Sequence, residues 1–198
     1  MSPLSPSLAR VLALGAALVA APFLVPAPLS AGTPNAAKPP ASIAVTRQLG
    51  APPAGVADLK FRDLFKLPVG PKGLEPTDKL AGLDGKRVRI VGYMVQQEPP
   101  LAGSFILSPL PVVAGDADDS FADDIPASAI FVVLPKSADT VVPPLAGLIQ
   151  LTGTLRVGAH EMPGAGRVAP AVLELDREPE RALLRHAKAK PKSSAKAR

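Results

Sequence analysis

At 198 residues the chain has room for one domain, and with six Phe, one Tyr and no Trp its core must come from Val, Leu, Ile and Ala. The absence of cysteine excludes disulfides, thiolate metal sites, iron–sulfur clusters and thiol chemistry. The net charge of +5 is local: eight Lys/Arg and two Glu lie between Arg177 and Arg198, while the other 14 Lys/Arg and 15 Asp/Glu nearly cancel, so no basic face for nucleic acid is implied.

The first predicted element is an address. Ser2 to Arg10 carries one side-chain charge, Arg10, and leads into the uncharged apolar run Val11 to Val25. Pro26, Pro28 and small residues come next, which completes the pattern of a secretory signal. The run is about fifteen residues, short of the roughly twenty that span a bilayer. Pro22 and Pro26 also weaken a retained helix, so cleavage after Ala31 is favoured over an uncleaved anchor. Residues 1–31 are therefore read as a signal peptide, with the protein periplasmic or extracellular. Residues 32–56 are dominated by Pro, Ala and Gly without a sustained period, and are read as a tether.

Residues 57–178 are read as the domain. Ala57 to Phe65 is expected to be a short helix or edge segment that lays Leu59, Phe61, Leu64 and Phe65 on the core. Asp84-Gly85 is a turn signal in front of the first of five alternating segments. Lys86 to Val95 places Val88, Ile90, Gly92 and Met94 on one face. Gly103 to Leu110 and Ala129 to Leu134 come next. Leu148 to Val157 sets Ile149, Leu151, Gly153, Leu155 and Val157 against Gln150, Thr152, Thr154 and Arg156. Arg167 to Asp176 sets Ala171, Leu173 and Leu175 opposite Val172, Glu174 and Asp176. Period-2 alternation predicts strands, and glycine inside two of them marks a bulge or tight bend, as closure of a barrel requires. The expected fold class is mainly all-β: a small five-stranded Greek-key barrel of the oligonucleotide/oligosaccharide-binding (OB) type. A β-sandwich is the alternative.

The segments FRDLFKLP, LDGKRVRIVGYMV, SFILSPLPVV and IFVVLP together resemble the exported bacterial domain-of-unknown-function 3299 family. In that family a leucine-aspartate-glycine turn leads into a strand of the form V-R-I-x-G-Y/F-M/I, met here from Leu83 to Met94. The resemblance spans roughly Ala57 to Asp176 and implies an exported compartment and a domain shape, without an activity. Members often carry cysteines in the loop after the second strand, where this chain has Gly115 and Asp116. A thiol-based role is therefore not implied.

Chemistry is sparse. Asp116, Asp118, Asp119, Asp123 and Asp124 crowd one loop, and hard cations take several oxygen ligands. An EF-hand register from Asp116 would need Gly at Phe121 and Glu at Ala127, so a solvated acidic loop is the preferred reading and a metal site the alternative. His160 and Glu161 lack the second histidine of His-Glu-x-x-His, with Gly164 in its place, and are read as turn residues. Glu98, Glu161 and Glu174 show no spacing that makes an acid–base pair. Ser193 to Lys196 forms S-x-x-K by chance in a low-complexity tail. Residues 179–198 are read as a basic, disordered tail, with a turn or two of helix from Ala182 to Ala189 docking Leu183 and Leu184. Its charges suit either reversible contact with an anionic membrane or wall polymer, at about 1 kcal/mol per Lys/Arg, or a solubilising tail without a partner. The expected function is a non-enzymatic exported binding or adaptor module, without a cofactor, whose partner is an envelope or transporter protein. The alternatives are metal or small-ligand binding by the Asp-rich loop and, third, a hydrolase whose site is assembled from distant residues, which would need a concave pocket holding a carboxylate pair or a serine beside a base.

Overall fold

Residues 36–71, 73–114, 125–162 and 166–189 are described in the computed structural model of the chain. The expected signal peptide and the end of the basic tail lie outside them. In chain order, β1 (Ala57–Asp58) is followed by a 3-10 turn (Phe61–Asp63) and a one-turn helix α1 (Asp78–Ala81). Then come β2 (Arg87–Met94), β3 (Gln96–Gln97), β4 (Ser104–Ser108), β5 (Val113–Ala114) and β6 (Ile130–Val133). The long β7 (Leu148–Met162), β8 (Arg167–Leu175) and helix α2 (Arg177–Ala189) complete the order.

All five alternating segments of the sequence are strands, and the fold is mainly β. Six strands share one mixed sheet in the order β1-β2-β4-β6-β8-β7, and β3 and β5 form a separate parallel pair. β2 also pairs with β7, from Arg87↔Thr154 to Tyr93↔Leu148, so the pairings β2–β4–β6–β8–β7 return to β2. β6 runs parallel to β8, and β2 meets β4 over just two residue pairs, Tyr93↔Ser108 and Met94↔Leu107.

Alternation decides what is inside. Val88, Ile90, Phe105, Leu107, Ile130, Val132, Ile149, Leu151, Leu155, Leu173 and Leu175 meet in one buried cluster, each such side chain contributing about 1.5–3 kcal/mol when fully buried. The two strand glycines sit where no Cβ fits. At Gly92 a Cβ would lie 2.7 Å from the Phe61 ring and from the Ser108 carbonyl oxygen. At Gly153 it would collide with the Glu174 carbonyl on the neighbouring strand. Leu59, Phe61, Leu64 and Phe65 are buried as expected, on the edge-segment alternative: they follow the short edge strand β1, with Phe61 in the 3-10 turn and the others on either side of it. The Thr77 hydroxyl caps α1 by accepting from the Leu80 N–H at 3.1 Å.

Three expectations need correction. Residues 36–56 are not a free tether. Ala37 donates to the Pro144 carbonyl and accepts from the Ala146 N–H, Val45 donates to Leu148, and Ile43 is 3% exposed in the main core. A Pro-rich segment without periodicity can still dock when its backbone bridges a strand and one large side chain finds the core. The helix of the tail is longer than its apolar residues suggest, because Pro179 is tolerated in a first turn. α2 buries Pro179, Glu180, Ala182 and Leu183. Finally, β7 runs on through His160 and Glu161 to Met162, so these two are strand residues and not a turn.

Ion pairs tie the edges. Arg89 is 4% exposed, donating from Nε to Asp58 at 2.7 Å and from Nη1 to the Gly50 carbonyl at 2.9 Å. That bond holds the Asp58 carboxyl below its ordinary range, and Lys79 does the same for Asp63. Asp176 takes Arg87, whose guanidinium pKa is raised by it.

Candidate functional site

A cleft of about 360 Å³ opens between three segments that are distant in sequence: Ala102–Ser104, the end of β6 with Pro135 and Ala138, and the outer part of the β7–β8 hairpin. Its size is at the lower end of ordinary ligand sites. Each wall has a local cause.

The first wall is a close backbone contact. Gly103 has φ +66°, and a Cβ there would lie 2.6 Å from the Ala138 Cα and 2.8 Å from its carbonyl carbon. The absence of a side chain lets Gly103 donate to the Thr140 carbonyl at 2.9 Å and accept from the Leu134 N–H at 2.8 Å. Turns from Leu134 to Ser137 and from Ser137 to Thr140 complete the loop. Glu180 of α2, 2% exposed, fixes it from below by accepting from the Lys136 N–H at 2.9 Å. This wall is preformed.

The second wall is the hairpin. β7 and β8 pair antiparallel to Met162↔Arg167, with a register shift between Val157 and His160 where β7 carries one extra residue. Such a bulge bends the strand and re-aims the side chains beyond it, and Gly158 at φ 129° accommodates it. Arg156, Glu174, Val172, His160, Glu161 and Met162 thereby line one cleft. Behind it Val95, Ile106, Phe131, Met162, Ala169 and Val172 form a second apolar cluster, separate from the main core.

The polar inventory is small. Arg156 donates from Nε to Glu174 Oε2 at 3.1 Å, with both side chains partly exposed. His160 Nε2 is buried without a hydrogen-bond partner among the described residues. The ring lines the cleft, but this nitrogen has no accessible surface of its own. Glu161 is exposed. No three His, Cys, Asp or Glu side chains among the described residues converge as a metal site would require.

Set against the sequence, the structure gathers His160, Glu161 and Glu174 and leaves Glu98 elsewhere. Asp116, Asp118, Asp119, Asp123 and Asp124 lie outside the described residues. Arg156 and Gly103 were visible in the sequence as strand residues alone. The Pro135–Ala138 wall gave no signal at all, because it acts through backbone position. Among the described residues no helix is long and apolar enough to cross a membrane.

No family model matches the chain, and no curated protein matches it either. A solved structure does: a DUF3299 family protein from Pseudomonas aeruginosa PAO1, 15% identical, covering 65% of this chain and 95% of that one, with a TM-score of 0.38. Figures this low leave fold and activity to be argued from the residues above. The family named there is the one that Leu83 to Met94 resembles, so in motif and in this likeness alike the chain resembles the domain-of-unknown-function 3299 family.

Proposed function

We propose that the chain is an exported, non-enzymatic binding module of the cell envelope. It is built on a five-stranded OB-type barrel and seats an envelope or transporter protein at the cleft beside the β7–β8 hairpin. Support for the barrel comes from pairings that return to β2 and from the parallel β6–β8 pair inside an otherwise antiparallel circuit. In OB-type barrels the second and third strands, with the loops after the first and fourth, form the binding face. Here those loops are the β2–β4 connection, which supplies Ala102 and Gly103, and the β7–β8 hairpin end. That correspondence is an analogy of fold and not a demonstration of role.

One observation carries the reading: three segments distant in sequence enclose a preformed, largely apolar cleft of about 360 Å³ with a few polar side chains on its walls. Apolar clefts with a few placed polar groups are where ligands are ordinarily held. Ser104 and His160 both line the cleft, but His160 Nε2 accepts from no hydroxyl among the described residues, so the two are not joined as a nucleophile and its base. Arg156 already engages Glu174, which favours binding over catalysis.

The test is photo-crosslinking in intact cells from position 161, at the cleft, with position 60, exposed on the link after β1, as the control. A single envelope protein captured from 161 and not from 60 is the expected result. Equal capture from both, or none from 161, removes the cleft as the seat.

A further inference from the structure

The cleft's own chemistry narrows what it takes. Its carboxylate and guanidinium groups are Glu161, Glu174 and Arg156, which sum to a formal charge of −1. Arg156 and Glu174 offset each other, and Glu161 has no recorded partner among the described residues. An anionic ligand would add a like charge to this lining, so a neutral or basic one is favoured. A point cation is poorly matched too, because these acceptors do not converge as a metal site would require. The ligand that fits offers hydrogen-bonding groups at intervals along an apolar body.

The vacant bonds are of both kinds. The Nη groups of Arg156 can donate, and the Glu161 carboxylate can accept. Val133, Leu134, Met162 and Val172 supply apolar wall between them. A peptide backbone offers C=O and N–H in alternation, and an aliphatic side chain would fill the apolar space.

Addition of a peptide as an extra strand is disfavoured at the nearest open edge. β6 pairs with β8 from Val172 to Glu174, so the Arg167–Ala171 stretch lies beyond that pairing, and Pro170 there lacks the N–H a ladder needs. The ligand must therefore bind across the cleft and through its side chain.

We propose that the cleft recognises an extended peptide segment of the partner, uncharged or basic, with an aliphatic side chain inserted between Val133, Leu134, Met162 and Val172. This rests on the cleft being the module's seat. It specifies a linear peptide where that reading specifies a protein.

The probe is a set of capped pentapeptides, acetyl-Gly-Ala-Leu-Ala-Gly-amide and three relatives. In one, glycine replaces leucine; in the others, both alanines become lysine or both become aspartate. Each is titrated into the full-length ¹⁵N-labelled chain while the amides of Gly103, Ala138 and Met162 are followed by NMR. The leucine peptide should give saturable shifts at these amides and the glycine peptide none. The lysine peptide should bind about two- to fivefold tighter than the aspartate peptide at low salt, as expected for one exposed charge. Glu161→Lys, at an exposed position, should fold normally and reverse that order. Equal binding of the glycine peptide, preference of the wild type for aspartate, or no shift at the cleft would each overturn the proposal. If peptides fail while crosslinking from position 161 still captures one protein, the partner presents a folded surface and the seat stands. If crosslinking fails as well, both readings fall.

Discussion

Gly103→Ala separates the cost of a backbone conformation from the cost of a closed wall. At φ +66° an L-residue is strained by about 1 kcal/mol relative to glycine. The new methyl would also press on the Ala138 backbone, with its Cα at 2.6 Å and its carbonyl carbon at 2.8 Å. Backbone cannot rotate away as a side chain can, so the overpacking cost of about 1–3 kcal/mol applies in addition. Gly147 has φ +80° and nothing within 4 Å of the place a Cβ would take, so Gly147→Ala carries the conformational cost alone. Gly103→Ala should therefore lose about 2–4 kcal/mol and Gly147→Ala about 1 kcal/mol. At roughly 2–4 °C per kcal/mol for a domain of this size, the first should melt several degrees lower. Urea unfolding followed by circular dichroism measures both. Equal losses in the two variants would mean that Gly103 and Ala138 are not in contact, and the preformed wall would have to be given up.

Ile43→Ala should cost about 3 kcal/mol by cavity formation, measured in urea, whereas a residue in a free tether would change stability by less than about 0.5 kcal/mol. Leu183→Ala, at a position with no exposed surface, should cost a similar amount and separate a docked α2 from a loose tail. Glu180→Ala should lower stability by about 1–3 kcal/mol and move the amide signals of 135–138 in NMR spectra, because the Lys136 N–H loses its acceptor. Asp58 and Asp63 have folded-state pKa values below the unfolded 3.8, so both stabilise the fold above that value and cease to do so as pH falls through the folded-state values. Stability should hold from pH 7 to about 5 and decline below about pH 4. Stepped-pH urea titrations should show a shallower decline in Asp58→Asn.

Much of the sheet was legible in the sequence because each strand is amphipathic in its own right. Ile149, Leu151 and Leu155 alternate with polar neighbours, and burial follows that alternation. Gly92 and Gly153 stood out by position, but they read as bends, whereas the structure uses them for close approach of the Phe61 ring and of the Glu174 carbonyl. Legibility ended where structure depends on contacts between distant segments. Ile43 is a single anchor in a Pro-rich run, so no period reported it. β7 continues past a glycine-bearing bulge into His160 and Glu161, where polarity and the nearby Pro163 read as a turn. The cleft is invisible to any local window, since Gly103, Pro135, Arg156 and His160 come from separate stretches. The carboxylates Glu161 and Glu174 stand out individually, and nothing in their spacing announces that a hairpin places both on one cleft.

The bridge between Ala37 and Leu145 has a consequence for the order in which the molecule takes shape. The seat for Ala37 and Ile43 is built from Pro144, Leu145 and the start of β7, about a hundred residues further along the chain. The pairing of β2 with β7 likewise awaits residues from 148 onward. During synthesis the leading segment thus has nothing to hold it until most of the chain has emerged. Pairings of such long separation close slowly. Residues 37–45 are therefore among the last of the described residues to be fixed, and a truncation that ends before β7 would leave the circuit open and this segment unseated.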